Sequence, residues 1–83
     1  MIDIFFVTVH TFGEPIQTLL KIVANTEYKN AYFQYYNGDT IVICGAFAKL
    51  PNAWTMHDDL KRLGFDVSII PRKYGDDNGK DST

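Results

Sequence analysis

The sequence has a single cysteine, Cys44, and no apolar run long enough to cross a membrane. One cysteine excludes an intramolecular disulfide and a zinc site built from several cysteines. A membrane-spanning helix needs about 20 apolar residues in succession, so we expect no membrane association. A basic excess is also missing, because 8 lysines and arginines stand against 10 acidic residues, for a formal net charge of −2. This balance excludes a strongly basic nucleic-acid binder and a highly acidic DNA mimic.

What the sequence does contain is enough apolar material for one folded domain. It has 83 residues, of which 46% are hydrophobic and 14% aromatic, which is too many for a disordered chain. We expect one α+β domain over residues 1–73 and a disordered acidic and polar tail over residues 74–83. The N-terminal segment has no basic start, and Asp3 interrupts it, so it does not resemble a signal peptide. One cysteine within an apolar run suits a reducing compartment, and we expect a cytoplasmic protein.

Strand and helix patterns alternate along the first part of the chain. The segment Ile2–His10 is rich in β-branched and aromatic residues and is apolar on both alternating sides, as expected of a central strand. Pro15 suits the first turn of a helix that runs to about Thr26. Its apolar residues recur at helical spacing: Ile16, Leu19, Leu20 and Val23.

The dipeptide Asn37-Gly38 predicts a type I′ β-hairpin, because it separates two strand-like runs by two residues. The turn fixes a register in which Tyr36 faces Asp39 and the pairs continue outward from there. On one side, expected to face the helices, lie Ala31, Phe33, Val42 and Cys44. On the other side lie Tyr32, Gln34, Tyr36, Asp39, Ile41, Ile43 and, by parity, Phe47.

A second helix and a last strand complete the pattern. Asn52 is the predicted N-cap of the second helix, and Gly64 is its predicted C′ residue. Apolar and polar residues then alternate to about Ile70, and Pro71 is expected to end that strand. The order strand, helix, strand, strand, helix, strand matches the ferredoxin-like βαββαβ arrangement. We therefore predict a four-stranded antiparallel sheet, with strand order 4-1-3-2 and two helices on one face.

The residues that could carry catalysis do not form a recognisable site. His10 and His57 have no second ligand at metal-binding spacing. Cys44 lies within an apolar strand, where a thiol stays protonated and inert. Asp58 and Asp59 are neighbours on an exposed helix rather than a buried acid–base pair. We expect no catalytic residue, no metal and no cofactor.

The leading functional hypothesis is a small non-catalytic protein-binding module that acts stoichiometrically, as an inhibitor, adaptor or regulator. Two helices cover only one face of a sheet, so the other face, or an edge strand, is free to dock on another protein or on a second copy in a homodimer. Aromatic residues are enriched at such contacts. Trp54, in the first turn of the second helix, is either a packing residue or a partly exposed anchor. The predicted contact residues are Tyr32, Gln34, Tyr36, Ile41, Ile43, Phe47 and Trp54.

Two alternatives belong to other classes. The first is a homodimeric ferredoxin-like enzyme or small-ligand binder, with a pocket between subunits and His10 near its mouth. The second is nucleic-acid binding in the manner of an RNA-recognition module, which stacks bases on aromatic residues of its two central strands. Residues 1–73 carry 7 basic and 7 acidic side chains, and this neutrality argues against attraction of a phosphate backbone.

Overall fold

The computed structural model describes residues 2–74, and these form an α+β fold in the predicted βαββαβ order. The elements are β1 (Ile2–His10), α1 (Pro15–Asn25), β2 (Tyr32–Tyr36), β3 (Asp39–Phe47), α2 (Leu50–Arg62) and β4 (Val67–Tyr74). Apart from Tyr74, the predicted tail over residues 74–83 lies outside the described residues. Within the described part, no helix is long and apolar enough to cross a membrane.

The four strands form one antiparallel sheet in the order β2-β3-β1-β4. This confirms the predicted strand order, with β1 and β3 in the middle and β2 and β4 at the edges. One buried cluster joins both helices to the two central strands, so α1 and α2 lie on the same face of the sheet. Its members are Val7, Val9, Ile22, Val42, Ala53 and Leu60. The opposite face of the sheet carries no helix in the described structure and is open.

The β2–β3 hairpin has the predicted turn and register. Asn37 and Gly38 have φ angles of 51° and 80°, and two successive residues with positive φ are what a type I′ turn requires. The pairs run from Tyr36 with Asp39 to Tyr32 with Ile43, as expected. A two-residue turn fixes pairing by local geometry alone, which explains why the sequence predicts this register correctly.

The predicted position of Phe47 is wrong, because β3 contains a bulge opposite β1. Val7 pairs with Gly45, whereas Thr8 pairs with Ile43, which leaves Cys44 as an extra residue. An extra residue shifts the alternation of side chains between the two faces by one. Phe47 therefore packs against the helix-side core and not on the open face.

The second helix begins before the predicted N-cap at Asn52. Lys49 is the N-cap residue, and Pro51 lies in the first turn, where its missing N–H leaves no helical hydrogen bond unmade. The end of α2 is as predicted. Gly64 has a φ of 97°, its N–H donates to the Lys61 carbonyl at 3.0 Å, and the Phe65 N–H donates to the Leu60 carbonyl at 3.2 Å. These two bonds form a Schellman motif.

The last strand continues beyond the position predicted for its end. β4 runs through Pro71 to Tyr74, with Pro71 opposite Phe5 and Tyr74 opposite Ile2. Pro71 lacks an N–H and would interrupt a central strand. β4 lies at the edge of the sheet. One side of an edge strand has no neighbouring strand, so a missing N–H on that side breaks no hydrogen bond of the sheet.

Candidate protein-binding face

A shallow groove lies on the open face of the sheet and crosses all four strands. Five of the seven predicted contact residues line it: Tyr32, Gln34, Tyr36, Ile41 and Ile43. Phe6 of β1 and Ile70 and Arg72 of β4 complete the lining. Strand register explains this set, since residues directly opposite on neighbouring strands share a face. We refer to these eight residues as the open-face groove.

The groove has a buried floor and an exposed rim. Ile41 and Ile43 are only 6% and 5% exposed, whereas Tyr32 at the rim is 49% exposed. The two isoleucines are covered by their neighbours on the same face, so the open face leaves less apolar surface in water than the sequence predicted.

The size of the groove limits what it can hold. Its cavity volume is about 100 Å³, whereas pockets for small molecules occupy about 300–1,000 Å³. The groove by itself therefore has room for a side chain of a partner protein. A second cavity of about 290 Å³ on the same face shares Tyr36, Ile41 and Ile70 with it and extends to His10. The small-ligand alternative places its pocket between two subunits, and that hypothesis stays a prediction.

Arg72 gives the groove its charge. Among the described residues, it is the one charged side chain in the lining, and it forms no ion pair there. The adjacent Lys73 is paired instead with Asp3, at 3.5 Å between Nζ and Oδ1. A guanidinium offers several hydrogen-bond donors in a fixed plane and suits a carboxylate. Arg72 has no carboxylate paired with it among the described residues.

His10 lies at one end of the open face, beside the groove. Its Nδ1 is 3.3 Å from Oδ2 of Asp39, and its ring contacts the edge of Phe12, with 4.5 Å between centroids. In the described structure no hydrogen bond joins His10 to the hydroxyl of a serine or threonine. No group of three or more potential metal ligands occurs among the described residues.

Cys44 lies on the helix side of β3, away from the groove, as the alternation along the strand predicts. Its side chain packs against the helix-side core, and burial raises the pKa of the Cys44 thiol to about 12. A thiol with this pKa is protonated at neutral pH and is a poor nucleophile. This agrees with the predicted role of Cys44 as a packing residue.

The two remaining predicted contact residues lie away from the groove. Phe47 belongs to the helix-side packing, near Met56. Trp54 is 47% exposed on α2, and its ring contacts the edge of His57 with 4.7 Å between centroids. The structure therefore does not combine Phe47 or Trp54 with the other five residues into one surface.

The open face offers few aromatic platforms for nucleic-acid bases. On β1, Phe6 lies in the groove, whereas Phe5 packs against the helix-side core. On β3, the groove residues are Ile41 and Ile43, which have no ring on which a base could stack. An RNA-recognition module stacks bases on aromatic residues of both central strands. The open face differs from the face of such a module because its central strand β3 offers no aromatic residue in the groove.

The sequence analysis did not include Phe6, Ile70 and Arg72 in the candidate site. Phe6 and Ile70 could have been found, because they are opposite one another on neighbouring strands and follow the alternation of β1 and β4. Arg72 could not have been found in this way, since β4 was expected to end at Pro71, before Arg72.

Comparison with known proteins assigns the chain to no family. No protein-family model, no curated protein and no solved structure matches it. The open-face groove is the feature of the described structure in which most of the predicted contact residues come together.

Proposed function

We propose that this chain is a non-catalytic protein-binding module that acts stoichiometrically, as an inhibitor, adaptor or regulator, and receives its partner on the open-face groove. The observation that carries the proposal is the composition of the groove. An exposed Tyr32, a second tyrosine, Tyr36, and an Arg72 with no ion pair among the described residues surround a buried isoleucine floor. Tyrosine and arginine are the residues that most often dominate the energetics of protein interfaces.

A ferredoxin-like arrangement of the elements supports this proposal. With both helices on one side of the sheet, the groove stands free on the other, and its floor is held by strand pairing on both sides. A rigid, preformed groove loses little conformational entropy when a partner binds. The partner we propose is a protein that places an apolar or aromatic side chain in the groove and a carboxylate against Arg72.

The test is the stoichiometry and affinity of binding to one protein partner. The tagged chain is used to capture proteins from a cell lysate, the captured protein is purified, and its binding is measured by titration calorimetry. We expect a stoichiometry of one partner per groove. The double variant Tyr32→Ser, Tyr36→Ser and the single variant Arg72→Ala should each lose about 2 kcal/mol or more, equal to roughly a 30-fold weaker Kd.

A matched control is Arg62→Ala, which removes an arginine from the end of α2. Arg62 lies on the helix side and is paired with Asp59 at 3.2 Å, so its loss should leave binding unchanged. If the groove variants bind as well as the wild type, or if Arg62→Ala weakens binding as much as Arg72→Ala, the proposed face is wrong.

A further inference from the structure

The two edges of the sheet differ in how they are protected from other strands. β4 carries Pro71, Arg72 and Lys73, and proline and charge are common protection for an edge strand. β2 has the sequence Tyr-Phe-Gln-Tyr-Tyr, with no charge and no proline. An uncharged aromatic edge is a surface on which a further strand can pair.

The side chains of β2 are exposed on both sides of the sheet. Tyr35 is 71% exposed, Phe33 is 43% exposed and Tyr32 is 49% exposed. Phe33 faces the helix side, because it is opposite the buried Val42, yet its 43% exposure shows that the helices cover it only in part. The open edge therefore presents aromatic surface that no element of the described chain packs against.

The hairpin register determines which main-chain groups of β2 point outward. Tyr36 and Asp39 flank the two-residue turn, and the pair next to such a turn exchanges main-chain hydrogen bonds. Alternate residues then bond to β3, so the N–H and carbonyl groups of Phe33 and Tyr35 point away from the sheet. Among the described residues, the hydrogen bond found to these outward main-chain groups is from Nε2 of Gln34 to the Tyr35 carbonyl, and it is long at 3.5 Å.

The sequence of β2 is nearly symmetric about Gln34. Tyr32 and Tyr36 are identical at two residues on either side, and Phe33 and Tyr35 are both aromatic at one residue on either side. A two-fold interface brings each residue against its counterpart across the axis, so it requires a surface that complements itself. An antiparallel pair of two β2 strands centred on Gln34 meets that requirement.

We propose that β2 pairs antiparallel with β2 of a second copy of this chain, about a two-fold axis at Gln34, and so joins two four-stranded sheets into one. Phe33 of each copy then exchanges main-chain hydrogen bonds with Tyr35 of the other. The side chains of Phe33 and Tyr35 form cross-strand aromatic pairs on the helix side. No like charges meet, because β2 has none.

Helix α1 adds to the same interface. Ile16 and Leu20 are 66% and 62% exposed, although the sequence places them in the apolar stripe of α1. Lys21 and Asn25 line a cavity with the end of α2, so helical spacing puts Ile16 and Leu20 on the opposite flank, beside β2. This flank of α1 would face its counterpart in the second copy.

The exposed apolar area is sufficient for a specific dimer. An aromatic side chain has a total surface of about 200 Å² and an aliphatic one slightly less. From their exposed fractions, the exposed residues of β2 and α1 together offer roughly 500 Å² of exposed apolar surface per copy; they are Tyr32, Phe33, Tyr35, Ile16 and Leu20. Two copies together bury about 1,000 Å², which reaches the size at which interfaces become specific. The interface uses the edge of the sheet, so it goes beyond the proposed function, although it shares Tyr32 with the rim of the open-face groove.

The first test measures the mass of the full chain in solution by sedimentation, at concentrations from about 1 μM to 1 mM. We expect a monomer–dimer equilibrium in that range for the wild type. Tyr35→Lys places a charge on the outer edge of β2 and should leave only monomer. Trp54→Lys is the control, since Trp54 is also an exposed aromatic residue, at 47%, but lies on α2, and it should dimerise as the wild type does.

Two results would overturn the proposal: a wild type that stays monomeric throughout the range, or a dimer that Tyr35→Lys leaves intact. If Tyr35→Lys fails to fold, amide hydrogen exchange of the wild type decides instead. The amides of Phe33 and Tyr35 should become protected as the concentration rises, while the Gln34 amide, bonded within the hairpin, should not change. Equal exchange of Phe33 and Tyr35 at both ends of the range would contradict the dimer.

Discussion

Gly45 of β3 lies against the side chain of Met56 of α2. A Cβ at Gly45 would lie 2.8 Å from both Cε and Sδ of Met56, and 3.1 Å from Cε2 of Phe47. Real Cβ atoms do not approach other heavy atoms to 2.8 Å. The glycine therefore allows α2 to pack directly over the bulge of β3.

We expect Gly45→Ala to lower the free energy of unfolding by about 1–3 kcal/mol, the usual range for an overpacked core. The methyl group must displace the Met56 side chain, whose flexibility limits the cost. Urea denaturation of the wild type, Gly45→Ala, Met56→Ala and the double variant measures the coupling. Gly45→Ala should cost less in the Met56→Ala background, and equal costs in both backgrounds would show that Met56 is not the obstacle.

Thr11 connects the loop before α1 to the β2–β3 hairpin. Its side chain is buried, with 2% exposed, and its hydroxyl donates to the Thr40 carbonyl at 2.6 Å. Thr11→Val keeps the shape but leaves that carbonyl without its donor, so we expect a loss of about 1–3 kcal/mol in the free energy of unfolding. Thr55→Val is the control for denaturant unfolding, because the Thr55 hydroxyl bond to Pro51 is exposed. Similar losses in both variants would contradict the importance of the Thr11 bond.

The raised pKa of Cys44, about 12 against an ordinary 9.0, predicts a stability that depends on pH in the alkaline range. In the unfolded chain the thiol ionises near pH 9, whereas in the folded chain it stays protonated until about pH 12. The contribution to stability is therefore complete below pH 9 and falls as the pH rises toward 12. Urea denaturation across this range should show a steeper loss for the wild type than for Cys44→Ala.

Alkylation by iodoacetamide gives an independent check on Cys44. At neutral pH the folded chain should react much more slowly than the chain unfolded in urea, because only the thiolate attacks and burial also restricts access. A folded chain that reacts as fast as the unfolded one would show that Cys44 is neither buried nor protonated as described.

Most of the fold could be predicted because its signals are local. The Asn37-Gly38 turn sets the hairpin register through two backbone conformations, and Gly64 ends α2 because its φ is positive. The strand order was predicted from the match of the element order to the ferredoxin-like arrangement. Composition agreed with it, since a strand that is apolar on both sides suits the middle of a sheet. These features also placed five predicted contact residues in one groove.

The errors occur where one strand depends on another. Hydrophobic alternation along β3 contains no sign of the extra residue at Cys44, because a bulge is a property of the pairing between β3 and β1. Phe47 was assigned to the wrong face for that reason. A proline interrupts a strand in the middle of a sheet but is tolerated in an edge strand. Arg72 could therefore be assigned to the groove only when β4 was known to lie at the edge.

The sequence by itself determined the elements, the hairpin register and the existence of one open sheet face, because each follows from spacing or from the φ preference of a few residues. Tertiary structure alone decided which residues share that face beyond the bulge, that Ile41 and Ile43 are buried within it, and that β4 continues through Pro71 at its edge of the sheet. The physical reason is that burial and pairing depend on neighbours from distant parts of the chain, and a linear pattern does not specify those neighbours.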